Sequence, residues 1–317
     1  MYESIAKELE LFEKEYSLQL DSEKAFLQPL FYYIKQQRGK WLRPALFFLS
    51  QGLVDSPRPT TVQIAVLIEL LHLATLLHDD VVDHSLVRRG KKTLNAVWNE
   101  RISVLMGDYL LARVLSLGVE ARRPEILEII SRVVVEMGEG ELWEVLEGKN
   151  IDIPVEEYLR AIYQKTAVFF GAVCELGGLV ISASFSEKER LRQFGEAFGM
   201  AFQIRDDILD FSGSAEFMGK PVGQDIDNGK ITLPLIFALE KISPKGKKDI
   251  SQRLKRKTEK DRRWIEEFVK ERNGIRKSQE KAVVFTEKSI EILKTFPHSI
   301  YRESMEKLVT EDLERTK

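Results

Sequence analysis

Two aspartate-rich pentapeptides carry the clearest chemistry in the chain: Asp79-Asp80-Val81-Val82-Asp83 and Asp206-Asp207-Ile208-Leu209-Asp210. Each closes a long apolar run with helical spacing. On an α-helix the first and last Asp of each cluster share a face, about 6 Å apart along the axis. Like charges at that spacing weaken a helix, and carboxylates near its C-terminus oppose its dipole. One such cluster is accounted for by a cap or an exposed acidic turn. Two of them, each beside core-like sequence, call for a compensating cation. Carboxylate oxygens so arranged are hard ligands suited to Mg²⁺, which keeps several waters and takes one or two carboxylates plus substrate phosphates. The pair therefore predicts a shared metal–diphosphate site between facing helices.

A diphosphate also needs cationic side chains, and the sequence places several near turns. His84-Ser85-Leu86-Val87-Arg88-Arg89-Gly90 follows the first cluster. Gly219-Lys220-Pro221-Val222-Gly223-Gln224-Asp225 and Gly229-Lys230 follow the second. Gly39-Lys40-Trp41-Leu42-Arg43-Pro44 lies upstream and Lys165-Thr166 mid-chain. Arginine grips phosphate oxygens in a fork, lysine as a point charge. Singly, each of these is ordinary surface charge. Their joint value depends on the acid clusters.

The elements that must position these residues read as helices throughout. Segment 5–20 places Ile5, Leu9, Phe12, Tyr16 and Leu20 at steps of three and four. Asp21 and Ser22 are N-cap candidates for a helix running to about Gln37. Further helical patterns cover 41–53, 60–84, 94–118, 124–148, 155–183, 187–211, 229–241, 247–271 and 277–314, punctuated by Pro and Gly. No sustained strand-type alternation is found, and no Ser/Gly- or Pro-rich linker divides the chain. The expected architecture is all-α: one domain over residues 1–317, an antiparallel helix bundle around a central apolar cavity.

Composition agrees with that architecture. The chain is 44% hydrophobic and 31% charged, enough apolar residues for a core beneath an ion-rich surface. A formal net charge of −2 gives no footing for nucleic-acid binding. Cys174 is the single cysteine, so no internal disulfide forms, and a cytoplasmic location is expected. Residues 1–20 lack a signal peptide's layout. The apolar stretch 61–78 is interrupted by Glu69, His72 and His78, which predicts a buried core helix and no transmembrane segment. The basic stretch 241–263 interleaves Asp249, Glu259 and Asp261 with Ile250, Leu254 and Trp264, and reads as a solvated amphipathic helix.

Together these segments resemble the trans-isoprenyl diphosphate synthase (polyprenyl synthetase) family, of a medium- or long-chain type. The run from Glu69 through His72 and His78 to Asp83, with Arg88-Arg89-Gly90, resembles the family's first Asp-rich motif. Gly199 to Asp210 through Gln203, with Gly219-Lys220-Pro221 and Asp225, resembles the second. Gly39 to Pro44 and Lys165-Thr166 resemble its remaining signatures, in the family's order, and the resemblance spans about residues 30–240. It implies the isoprenoid synthase fold, a homodimer, and Mg²⁺-dependent condensation of isopentenyl diphosphate with an allylic diphosphate. By resemblance, Asp79, Asp83 and Asp206 hold three Mg²⁺ ions, supported by Asp80, Asp207 and Asp210. Arg88, Lys165, Lys220 and Lys230 contact the allylic phosphates, and Lys40, Arg43, His72 and Arg89 the isopentenyl diphosphate. Thr166 and Gln203 face the allylic carbocation. On spacing alone His72 is a satisfied core histidine, and only the motif gives it a role. No protein base is evident; His78 and His84 flank the first cluster and are discounted.

Ala74 and Thr75, one turn before Asp79, are small. In the family, aromatic residues here resemble a floor that stops growth at fifteen or twenty carbons. The expected product is therefore longer than twenty carbons, with Leu71, Ile68 or Met137 as a deeper floor. Tight helix packing explains the small pair equally well. The alternatives are a geranylgeranyl-type short-chain synthase, a terpene cyclase and one subunit of a heteromeric synthase. A cyclase normally carries a differently spelled second metal motif, and a regulatory subunit would be expected to lack one acid cluster.

Overall fold

The computed structural model describes residues 2–37, 39–88, 90–212 and 223–314. Among these, regular structure is helical apart from one short hairpin, Val87–Arg88 with Lys91–Lys92, paired antiparallel in the register Val87 to Lys92. Gly90 takes φ +73° at its turn, a conformation glycine adopts without strain. Two-residue strands are too short to leave a two-residue period in the sequence, so this hairpin was not anticipated.

Contacts gather into two compact units, each built from separate stretches of chain. The first comprises Met1–Arg132, Ala172–Arg192 and Leu293–Lys307. It contains α1 (Ala6–Gln19), α2 (Gln28–Lys35), α3 (Leu42–Gly52), α4 (Val62–Val82), α5 (Leu94–Val97) and α6 (Glu100–Glu120). Helix α4 is apolar on nearly every side, and α1, α3 and α6 pack on it. The approach of α6 is close: a Cβ on Gly107 would lie 2.2 Å from His78 Nε2, and Ser103 Oγ donates to the Leu77 carbonyl at 3.0 Å. By length and composition Pro59–Val82 and Glu100–Glu120 could each cross a membrane, but 67% of the first helix's apolar window is buried within the protein. That is the core-helix role expected of it. Helix α6 keeps Leu105, Leu115 and Val119 exposed.

The second unit comprises Val133–Gly171, Gln193–Ile292 and Leu308–Lys317. It takes in the end of α7 (Pro124–Glu147), then α8 (Val155–Ile162), a π-helical turn (Tyr163–Ala167) and the start of α9 (Val168–Val180). The later part of α10 (Phe185–Ser212) follows, with α11 (Gln224–Asn228), α12 (Leu233–Leu239), α13 (Pro244–Arg256), α14 (Glu259–Glu271) and most of α15 (Gly274–Lys294). The last helix is α16 (Ile300–Glu314). Tyr158, Ile204, Ile208, Leu235, Ile250 and Ile265 belong to this unit's core. Helices α13 and α14 bury Ile250, Leu254 and Ile265 while Arg253 lies over the Trp264 ring at 4.1 Å, as expected of an amphipathic basic segment.

Several boundaries differ from the sequence reading. Helix α2 starts at Gln28, with Pro29 in its first turn, and not after Ser22. Asp21 and Ser22 instead accept the amides of Ser22 and Lys24 and form local turns. The 247–271 pattern breaks at Lys257 (φ +52°), where Thr258 caps α14 by accepting the Asp261 amide. The 94–118 pattern breaks likewise, at Asn99, whose side chain caps α6. Cys174 is fully buried, and burial pushes its thiol up to about 12, so it is inert.

Candidate active site

The first acid cluster ends α4. Asp79 and Asp83 are half-buried on one face, whereas Asp80 turns inward and is only 2% exposed. Arg88 Nε donates to Asp80 Oδ1 at 2.9 Å. Burial raises the Asp80 carboxyl above its ordinary range, with Arg88 opposing and Asp83 adding to the rise. The hairpin that carries Arg88 is held by α2 and the turn after it: Tyr33 Oη and Gln37 Nε2 both donate to the Lys92 carbonyl, at 2.8 and 2.9 Å. Asn95 was missed by sequence reasoning. Its Nδ2 donates to the carbonyls of Asp80 and Ser85, tying the end of α4 to the loop beyond. Arg89 lies outside the described residues.

The upstream basic loop belongs to the same unit. Arg43 Nη1 and His72 Nε2 are 3.0 Å apart; a guanidinium only donates, so Nε2 accepts and Nδ1 carries the proton. The structure thus brings two of the four predicted isopentenyl diphosphate contacts together, while Lys40 is exposed nearby in sequence. Trp41 between them takes φ +55°, an uncommon conformation for a bulky residue. It is held there by α1: its Nε1 donates to Glu13 Oε1 at 2.8 Å, and its ring meets Phe12 and Tyr16 edge-on, each at 5.1 Å. Glu13, Trp41, Glu69 and His72 line a cleft beside this loop. His78 packs over Gly107 near the Val104 carbonyl and Asp108, and His84 is exposed. Those surroundings suit packing and surface roles.

The second cluster ends α10, in the other unit. Asp206 is half-buried. Asp210 is fully buried and caps α11, accepting the amides of Gln224 (3.3 Å) and Asp225 (2.9 Å). Asp207 is the hub of a buried chain. Tyr158 Oη donates to Asp207 Oδ2 at 2.6 Å, Gln203 Nε2 donates to Oδ1 at 2.8 Å, and Thr166 Oγ1 donates to Gln203 Oε1 at 2.8 Å. Burial raises the Asp207 carboxyl to about 7 against these hydrogen bonds, and the charges of Asp206 and Glu144 push the same way. Tyr158 was missed by sequence reasoning, because one tyrosine on an amphipathic helix carries no distinguishing signal.

Lys165 and Thr166 sit in the π-helical turn, where the Val168 amide reaches back five residues to the Tyr163 carbonyl. Such turns recur at functional sites. Gly140 lets α7 come close to this turn, since a Cβ there would lie 3.0 Å from the Lys165 nitrogen. Lys165 Nζ is 2.8 Å from Glu141 Oε1 and 3.2 Å from Glu144 Oε2, and Lys230 Nζ is 2.5 Å from Glu144 Oε1. Both glutamates were missed as well. Lys220 lies outside the described residues.

In each cluster the aspartates matched to metal, Asp79, Asp83 and Asp206, are those left half-exposed, while Asp80, Asp207 and Asp210 are buried in hydrogen bonds. The donor set fits a hard divalent cation. Burial chiefly holds the Asp207 carboxyl near 7, and the Asp206 and Glu144 carboxylates beside it add to the rise. Among the described residues no three His, Cys, Asp or Glu side chains converge to hold an ion unaided. Magnesium sites completed by substrate phosphates need only one or two.

Comparison with known proteins decides the family. Residues 24–271 match the family model for polyprenyl synthetase. The chain belongs to the polyprenyl synthetase family. It is therefore a prenyltransferase of the all-α isoprenoid synthase fold. It is 37% identical over 239 residues to heptaprenyl diphosphate synthase component 2 of Geobacillus stearothermophilus, covering 75% of each chain. To the octaprenyl diphosphate synthase of Escherichia coli it is 34% identical over 290 residues, covering 90% of this chain and 89% of the other. Among solved structures it resembles a polyprenyl synthase from Caulobacter crescentus complexed with calcium and isoprenyl diphosphate. That match has a TM-score of 0.92 at 31% identity, over 99% of this chain and 95% of the other.

Proposed function

We propose that this polyprenyl synthetase is a Mg²⁺-dependent enzyme that extends an allylic diphosphate with isopentenyl diphosphate to a product longer than twenty carbons. The observation that carries the reading is the division of labour in the two acid clusters. Each leaves half-exposed carboxylates on a helix whose remaining aspartates are fixed by buried hydrogen bonds. Asp79, Asp83 and Asp206 would hold the ions, three by the family pattern. Bound Mg²⁺ would neutralise the diphosphate as charge builds on the departing pyrophosphate.

The chain's own residues do the rest. Lys165 and Lys230 donate N–H groups to phosphate oxygens, and Arg88, already oriented by Asp80, adds a forked donor. Asp207 fixes the Gln203 amide, and Gln203 in turn accepts the Thr166 hydroxyl proton. The lone pairs of Thr166 are left for a cationic carbon, which needs oriented dipoles and exclusion of water. Arg43 and His72 hold the isopentenyl diphosphate, whose double bond attacks that carbon; a proton then leaves to the pyrophosphate. His78 Nε2 faces the Val104 carbonyl and Asp108, and we assign no base role to it or to the exposed His84.

Thr75 is half-buried, and at about 100° per residue it lies within about 40° of Asp79 on α4. We assign it to the wall along which the product grows. Ala74, Leu71 and Ile68 are fully buried. We also propose a cytoplasmic homodimer; the exposed Leu105, Leu115 and Val119 of α6 support a partner surface. A second reading, the catalytic half of a heteromer, is favoured by the likeness to a component 2 protein. The test is incubation of the purified chain alone with labelled isopentenyl diphosphate, Mg²⁺ and separate allylic primers. Products beyond twenty carbons support the elongating homomer. Activity appearing only with a second polypeptide supports the heteromer, and cyclic products without isopentenyl incorporation overturn both.

A further inference from the structure

Neither acid cluster includes Glu144, yet this one carboxylate touches two of the lysines assigned to the phosphates, Lys165 and Lys230. Its Oε1 is 2.5 Å from Lys230 Nζ and its Oε2 is 3.2 Å from Lys165 Nζ. The three residues come from separate elements: α7, the π-helical turn and the loop after α11. The backbone reinforces the junction, because the Ile231 amide donates to the Gly148 carbonyl at 3.0 Å just past α7. All three side chains are about one-fifth to one-quarter exposed, so the charges interact with only partial screening.

We infer that Glu144 is a positioning residue that spaces Lys165 and Lys230 to receive one phosphoryl group and, by its own charge, weakens their hold on pyrophosphate so that the site empties between condensations. This rests on the proposed function of the two lysines. One ammonium on each oxygen of a single carboxylate is the spacing at which they can grip two oxygens of one phosphoryl group. Each ammonium has three donors, so Glu144 engages only part of the capacity of each. Although burial opposes it, the lysines hold the Glu144 carboxyl below its usual range, and it therefore remains an anion beside any phosphate they bind. Glu141 keeps its own contact with Lys165, at 2.8 Å, so neutralising Glu144 does not release that lysine.

A fixed negative charge roughly 6 Å from a bound anion opposes binding by about tenfold or more in a partly solvated site. An enzyme that adds many units must shed pyrophosphate after each, which gives such opposition a use. The test is calorimetric titration of the full-length protein with pyrophosphate in the presence of Mg²⁺, paired with pyrophosphate inhibition of turnover. Glu144→Gln should lower the pyrophosphate Kd and inhibition constant about tenfold and slow turnover, while Glu144→Asp stays near wild type. Unchanged or weaker binding in Glu144→Gln, checked with Glu144→Ala, overturns the inference. Lys165→Ala and Lys230→Ala should each weaken pyrophosphate binding. If they do so while Glu144→Gln does not tighten it, the inference falls and the function assigned to the lysines stands; if they do not, that function falls too.

Discussion

Replacing Asp207 with asparagine should stabilise the metal-free protein at neutral and alkaline pH, although the residue sits in the middle of the second acid cluster. Its carboxyl is raised from 3.8 to about 7, first by burial and then by Asp206 and Glu144. A raised folded-state value means that, between about pH 4 and pH 7, the folded protein keeps a proton the unfolded chain has lost. Stability therefore falls as pH rises through that window and levels off above it. Three units at about 1.4 kcal/mol each set a ceiling near 4 kcal/mol. Because neighbouring carboxylates share the proton, a measured effect of about 2 kcal/mol is expected. Asparagine can still accept from Tyr158, and a flip of the Gln203 amide restores its second bond, so the chain of hydrogen bonds survives. Urea unfolding in EDTA from pH 5 to 8.5 gives the comparison. Wild type should lose stability with rising pH, and Asp207→Asn should be flatter and more stable at pH 8. Equal slopes, or a variant less stable at pH 8, would refute the electrostatic reasoning.

Two further outcomes follow from the first unit. Trp41→Phe removes the indole bond to Glu13 that holds the Lys40–Arg43 loop. Steady-state kinetics should show the KM for isopentenyl diphosphate rising about threefold to tenfold, as for loss of ~1 kcal/mol, with the allylic KM little changed. Thr75→Phe should shorten the product by at least one isoprene unit on chromatographic sizing. Ala74→Phe, at a fully buried position about 140° around α4 from Asp79, should mainly destabilise the protein by about 1–3 kcal/mol, seen as a lower Tm.

What the sequence revealed were the groups that come as contiguous patterns. Both acid clusters, the Gly39–Pro44 loop and Lys165-Thr166 are local strings, and the long helices follow from apolar periodicity. The supporting residues were hidden because they meet only through the fold. Glu141 and Glu144 lie in a run with Glu136, Glu139 and Glu147 that reads as a solvated face. The approach of the π-helical turn, permitted by Gly140, and of Lys230 after α11 gives them lysine partners. Tyr158 and Asn95 act through hydrogen bonds to residues far along the chain or across a loop, which leave no spacing. Helix breaks at Lys257 and the π-helical turn depend on local backbone geometry that many sequences accommodate, whereas Asp210 shows a motif residue with a capping task that its motif did not reveal.

Turnover of labelled isopentenyl diphosphate by Asp79→Asn, by Asp206→Asn and by the protein carrying both changes is the most direct test that the two clusters serve one reaction. Residues acting as a unit lose their effect together. Each single change should cut turnover by about a thousandfold, and the double change should be scarcely worse than the weaker single variant. Substantial activity in either single variant, or losses that multiply in the double, would show that the clusters act separately.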